Sequence, residues 1–202
     1  MSETYLAKLD ETMRAMSERL CTSAEVVVVA GHELLWHSKT EHPDSNVLNR
    51  ANVGFRRSLY ELDALSRLYL SRLDWNELES RFYTDGFFAT GRDVNEKTRG
   101  LSAKAVRQQL ESVKTQSFAA DIAGNYMGIR RFATVVEDPE GKFLHLLTLA
   151  EPVGRLANEK EYIKRYRKAL LEARDGLFEL MCKESQAYRP SPKHHVLPQR
   201  GG

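Results

Sequence analysis

Two groups of side chains in this 202-residue sequence have types and spacings that could do chemistry. The first is the stretch 31–44, GHELLWHSKTEHPD, with His32, His37 and His42 beside Glu33. A metallohydrolase would need two histidines one helical turn apart, at i and i+4. His32 and His37 are five apart, which puts them on different sides of a helix and on opposite faces of a strand. That spacing predicts ordinary histidines and no metal site.

The second group is basic and polar. The stretch 100–114, GLSAKAVRQQLESVK, reads as the second half of a helix-turn-helix. Gly100 sits at the turn, Leu101 packs beneath it, Ser102 caps the helix, and Val106, Leu110 and Val113 face inward. Lys104, Arg107, Gln108 and Glu111 are left outward, the layout a recognition helix needs to reach base edges. Between 92 and 114, six basic residues (Arg92, Lys97, Arg99, Lys104, Arg107, Lys114) face three acidic ones (Asp93, Glu96, Glu111). The candidate nucleic-acid contacts are therefore Arg99, Ser102, Lys104, Arg107 and Gln108, with Arg130, Arg131 and Lys164 as phosphate holders. The first half of the motif, Asp93–Thr98, is thinner: it supplies Val94 but lacks the small residue that seats two such helices. The tip of the following hairpin, Glu137–Lys142, is mostly acidic and has the wrong sign for a phosphate-touching wing.

The elements that would position these residues follow from local pattern. Asp138-Pro139-Glu140-Gly141 has the chemistry of a tight turn. Its flanks, Phe132–Val136 and Phe143–Leu149, are rich in β-branched, aromatic and large apolar residues. If Asp138 and Gly141 bound the turn, Val136 faces Phe143, Thr134 faces His145 and Phe132 faces Leu147; a bulge at Gly141 would slip that register. Both strands are apolar on much of both faces, so the hairpin must be covered or joined, and Ala24–Ala30, AEVVVVA, is the candidate third strand.

Thr4–Cys21 has the apolar stripe of a helix in Leu6, Leu9, Met13, Met16 and Leu20. Val47–Leu73 reads as a long helix, with Leu48, Phe55, Leu62 and Tyr69 seven apart. Asp74 caps a shorter helix that runs to about Tyr83. The last helix, Leu156–Gln186, carries Leu156, Ile163, Leu170 and Leu177 seven apart, with Tyr166, Ala173 and Leu180 complementary. Its seam supplies the candidate interface residues Ile163, Tyr166, Leu170 and Leu177, toward the chain's own helices or a second copy. Seven basic against three acidic residues between 155 and 174 read as its solvated face.

Composition bounds the class. A hydrophobic content of 42% with 29% charged residues fits a folded domain, and a net charge of +2 puts any electrostatic argument on local clusters. Cys21 and Cys182 read as two buried, reduced thiols. No signal peptide or membrane-length apolar run is present, which predicts a cytoplasmic protein without a membrane partner. The sequence shows no phosphate-cradling glycine loop, dinucleotide fingerprint, nucleophile elbow or CxxC pair. The expectation is a non-enzymatic protein without a cofactor.

The expected architecture is α+β and predominantly helical: a helical bundle holding a small antiparallel sheet built on the 129–150 hairpin, as one domain over 1–187 with a disordered tail over 188–202. Two functions compete. The sharper is a DNA-binding transcriptional regulator or nucleoprotein accessory protein, with duplex DNA as partner, using the 92–114 segment. The other is a protein–protein module, a homodimer or a complex with another protein, using the last helix.

Overall fold

The Asp138–Gly141 turn forms as its residues dictate. Gly141 takes a positive φ of 79°, its N–H bonds the Asp138 carbonyl at 2.9 Å, and the Asp138 carboxylate accepts the N–H groups of Glu140 and Lys142. The strands it joins are longer than their apolar cores, Ile129–Glu137 (β7) and Phe143–Pro152 (β8). Their register slips at an irregularity between Val136 and Glu137, so that Glu137 faces Phe143, Val136 faces His145 and Thr134 faces Leu147. The computed structural model describes residues 2–47, 51–90, 98–125 and 127–187. Leu48, most of the first half of the supposed helix-turn-helix and the C-terminal tail lie outside them.

The hairpin does not sit inside a helical bundle. It is the middle of a six-stranded antiparallel sheet, and this overturns the expected fold. Ser23–Ala30 (β1) pairs with β8, and Gly31, at φ 62°, turns the chain into Glu33–Lys39 (β2). Arg56–Ser58 (β3) closes one edge and Phe118–Asp121 (β6) the other, in the order β3-β2-β1-β8-β7-β6. A separate two-stranded ribbon joins Phe88–Ala89 (β4) to Arg99–Gly100 (β5).

The α-helices among the described residues are α1 (Glu3–Leu20), α2 (Ala64–Leu70), α3 (Trp75–Arg81), α4 (Ala103–Lys114) and α5 (Glu159–Ala187). They cover both faces of the sheet. On one face Val27, Leu34, Trp36, Val135 and Leu146 pack against α2 and α4. On the other, Val26, Phe132, Val136, Leu147 and Leu149 pack against α1 and α5. Two-sided burial is why the strands lack clean alternation. On α1, Tyr5 joins the core at 1% exposure while Leu6 stays out at 44%, a correction to the expected stripe.

Among the described residues of 47–73 the expected long helix is absent. Gly54, at φ 88°, interrupts it, β3 follows, and the Asp63 carboxylate caps a new helix by accepting the Ser66 N–H at 2.9 Å. Leu59, Leu62, Leu65 and Leu68 are all buried. Their spacing reported burial of a segment wrapped on the sheet, not a continuous helix. The cysteines are both free, but they differ from expectation in burial: Cys182 is half-buried, and Cys21 is exposed at the left-handed C-cap of α1.

Two polar pairs are buried inside this frame. Arg131 on β7 meets Glu25 on β1, Nε to Oε2 at 3.2 Å, and Thr148 on β8 donates to the same oxygen at 3.0 Å. The guanidinium of Arg131 lies over the Trp36 ring. On the opposite face, the Tyr5 hydroxyl meets Nε2 of fully buried His145 at 2.8 Å. Burial pushes the imidazole down from 6.5 to about 4. The folded protein therefore resists a proton that the unfolded chain accepts. The resulting stability is present in full above about pH 6.5 and is lost as the pH falls from there to about 4, up to about 3 kcal/mol. Urea unfolding at about pH 7.5 and about pH 4.5 should show this loss, and the double variant Tyr5→Phe with His145→Leu should show a shallower one. An equal slope in that variant would assign the acid sensitivity elsewhere.

Candidate functional site at the seam of the sheet

The six strands curl into an open half-barrel, which brings its two edges toward one another. The 59–64 segment and the N-terminus of α2 bridge the gap. A cavity of about 730 Å³ opens at this seam. Its wall takes Arg57 from β3, Glu61 and Asp63 from the bridge, Arg67 from α2, and Asp121 from β6.

The charges form a ladder across the seam. Arg57, with its side chain 8% exposed, is held between Glu61 and Asp63. Its Nη1 lies 2.9 Å from Asp63 Oδ2, and its Nε donates to Glu61 Oε2 at 3.1 Å. Burial would lower the guanidinium pKa, but Asp63 and Glu61 outweigh it and hold the group above its ordinary value. Thr90, just past β4, donates to Glu61 Oε1 at 2.7 Å. Asp121 accepts the Ala64 N–H at 2.8 Å and Arg67 Nη2 at 3.0 Å. It thereby ties the edge strand to the first turn of α2, where an anion also suits the helix dipole. Burial, and next the Asp63 charge, raise the Asp121 carboxyl above its usual range; Arg67 and the Ala64 N–H oppose this only in part.

Neutral groups complete the wall. Gln109 of α4 and Asn125, after the turn that closes at Gly124, offer amides, and Leu62, Ala89, Ile122, Val153 and Leu156 supply apolar surface. Gly124 is required at that turn: at φ 76°, an added Cβ would come within 2.2 Å of Val153. The wall joins a ladder of paired charges to apolar patches, and can retain a small molecule that has both polar and apolar parts.

Of the candidate site residues singled out from sequence, Arg130 alone reaches the cavity wall. Ser102 caps α4, accepting the Ala105 N–H at 3.3 Å. Arg99, Lys104 and Gln108 are exposed, and Arg107 stacks on Trp75. Arg130 and Arg131 are buried, at 3% and 5% exposure, and are committed to internal partners. Arg130 donates to the Ile122 carbonyl, Glu151 and the Gly154 carbonyl. Lys164 is exposed on α5, far along the chain from α4 in sequence. Tyr166, Leu170 and Leu177 are at most 1% exposed in the chain's own core, and Ile163 is half-buried against it. Tyr162 and Tyr166 both bond Glu151, the partner of Arg130. His32 stacks on Phe82, and no group of three metal-binding side chains occurs among the described residues. Among the same residues, no helix is long and apolar enough to cross a membrane.

Sequence reasoning missed Glu61, Asp63 and Asp121. Asp63 carried a legible signal, a capping residue inside a supposed helix interior. Asp121 carried none, because its partners are 57 and 54 residues away.

The fold has solved counterparts. The C-terminal domain of the Escherichia coli transcriptional regulator KdgR superposes with a TM-score of 0.66 at 20% identity, covering 88% of this chain and 98% of that one. The Thermotoga maritima IclR matches at 0.69 with 16% identity, over 88% of this chain and 68% of its own. An IclR homolog from Microbacterium hydrocarbonoxydans, complexed with 4-hydroxybenzoate, matches at 0.69 with 15% identity, over 89% and 69%. The chain spans 66% of a Rhodococcus regulator of the same shape. No curated protein matches the sequence. The family model for the bacterial transcriptional regulator IclR C-terminal domain matches residues 4–177. That is the ligand-binding and dimerisation part of such regulators rather than the DNA-binding part, so the helix-turn-helix reading of 92–114 is overturned. From residue 4 to residue 177 this chain belongs to the family of IclR C-terminal domains of bacterial transcriptional regulators.

Proposed function

We propose that this domain is the sensory part of a transcriptional regulator: it takes up a small-molecule effector in the seam cavity and self-associates. The observation that carries the reading is the cavity of about 730 Å³ walled by side chains from both edges of the sheet. A ligand there touches β3, β6 and α2 at once, so its binding energy acts on how closely the edges approach. A ligand shifts an equilibrium by as much as its affinity differs between two states, and edge separation is such a coordinate. DNA contact belongs, on this reading, to another part of the regulator, and the exposed basic residues Arg99, Lys104 and Lys164 are solvated surface.

The test compares the wild-type chain with Ala89→Phe, which fills the cavity from a half-buried wall position. Thermal unfolding is followed against a library of small metabolites. At least one compound should raise the midpoint of the wild type in proportion to its concentration and leave Ala89→Phe unmoved. A library without such a compound, or hits indifferent to the filling, would overturn the reading. Light scattering on the same samples should show a mass above that of one chain.

A further inference from the structure

The charge balance of the seam cavity bears on the sign of its ligand. The cations in its wall are Arg57, Arg67 and Arg130, and the anions are Glu61, Asp63, Asp121 and Glu159. The arginines are already committed. Arg57 is shared between Glu61 and Asp63. Arg67 spends its two Nη atoms on the Leu62 carbonyl and Asp121. Arg130 is matched by Glu151, which is outside the wall, and by two backbone carbonyls. Among the described residues, the inner ladder therefore sets three carboxylates against two guanidinium groups, with Glu159 exposed at the rim.

An incoming carboxylate would find both guanidinium charges already matched and would add a fourth negative charge to the ladder, where little water can screen it. An ammonium meets the opposite situation. A carboxylate offers about four lone-pair sites. Asp121 uses one site toward the Ala64 N–H and one toward Arg67, and has capacity left for a second cation. Asp121 is also the group whose charged form is disfavoured by burial and by Asp63. A cation beside it would relieve that cost. Leu62, Ile122, Val153 and Leu156 would accept an apolar body behind the charged head.

We infer that the effector is a small organic amine, bound through its ammonium group at Asp121 and Asp63. This rests on the seam cavity being the effector site. The test measures binding to the full chain by calorimetry with matched probes: benzylamine, tyramine and putrescine beside benzoate, 4-hydroxybenzoate and succinate. At least one amine should bind and its carboxylate counterpart should not. Asp121→Asn keeps an oxygen to cap Ala64 but loses the charge, and should weaken amine binding about tenfold or more, as loss of a charge-assisted hydrogen bond does. Arg67→Gln removes the competing cation and should tighten it. Opposite signs from two contacting residues would not follow from a merely structural role. Carboxylate binding that is abolished by Ala89→Phe would overturn the amine inference and leave the cavity as the effector site. Binding of either class that ignores Ala89→Phe would overturn both, as would the absence of binding by all six probes together with a library containing no cavity-dependent hit. Absence of binding by the six probes beside a cavity-dependent hit that carries no ammonium group would overturn the inference alone.

Discussion

Glu25→Leu is expected to lower the stability of this protein by about 3–5 kcal/mol, the cost of leaving a buried charge without its partner. Glu25 is fully buried and Arg131 is 5% exposed. Removing the carboxylate leaves the guanidinium against the Trp36 ring and takes the acceptor from the Thr148 hydroxyl. In a chain of this length, that corresponds to a fall in the thermal midpoint of roughly 6–20 °C. The second half of the expectation is sharper. Glu25→Leu combined with Arg131→Met should recover most of the loss, because two apolar side chains of similar volume need no desolvation of charge. Thermal and urea unfolding of the two variants check this. A double variant no more stable than Glu25→Leu alone would show that the pair has a role that apolar packing cannot replace.

Leu170→Glu is expected to abolish the folded state rather than a dimer. The heptad pattern of α5 would permit either result, since a leucine on an exposed seam would cost association alone. Leu170 is fully buried among Tyr5, Leu9, Met13, Leu147 and Leu177. The substitution removes an apolar side chain, about 2–5 kcal/mol when truncated, and puts a carboxylate into an apolar cluster, which costs several kcal/mol more. The sum approaches the whole stability of an ordinary domain. Circular dichroism should show lost cooperativity and size exclusion an expanded or aggregated chain. A folded protein of lower mass would instead show that α5 pairs across two copies.

What was legible in the sequence was local. The Asp138–Gly141 turn, the Ser102 and Asp74 caps and the apolar stripes of α1, α4 and α5 are set by residues within a few positions of each other. The segment 47–73 failed because spacing alone cannot tell a helix from a chain wrapped over a sheet. There, Gly54 and Asp63 were the signals against a continuous helix. β6 was missed because four residues, Phe118–Asp121, give too little periodicity to mark a strand. Arg130 and Arg131 were read as phosphate holders because they are adjacent cations. Their flanks, Ile129 and Phe132, are apolar, and a cation among apolar strand residues is the mark of an internal ion pair. The seam cavity was not legible, since it exists only once opposite edges of the sheet meet.

The contact between α1 and α5 has a consequence for the order in which this domain assembles. The Ser2 hydroxyl bonds the Glu184 carboxylate across 182 positions, and α1 and α5 together cover one face of the sheet. During synthesis α1 emerges before α5 and waits, amphipathic and without its neighbour, until β1 to β8 and α5 have been made. Contacts of such long range close late and slow folding. A nascent chain that already holds β1, β7 and β8 displays Val26, Phe132, Leu147 and Leu149 to its surroundings in that interval. Exposed apolar surface of this kind is what holdase chaperones engage. Pulse-labelled synthesis should therefore show chaperone association persisting until α5 clears the ribosome.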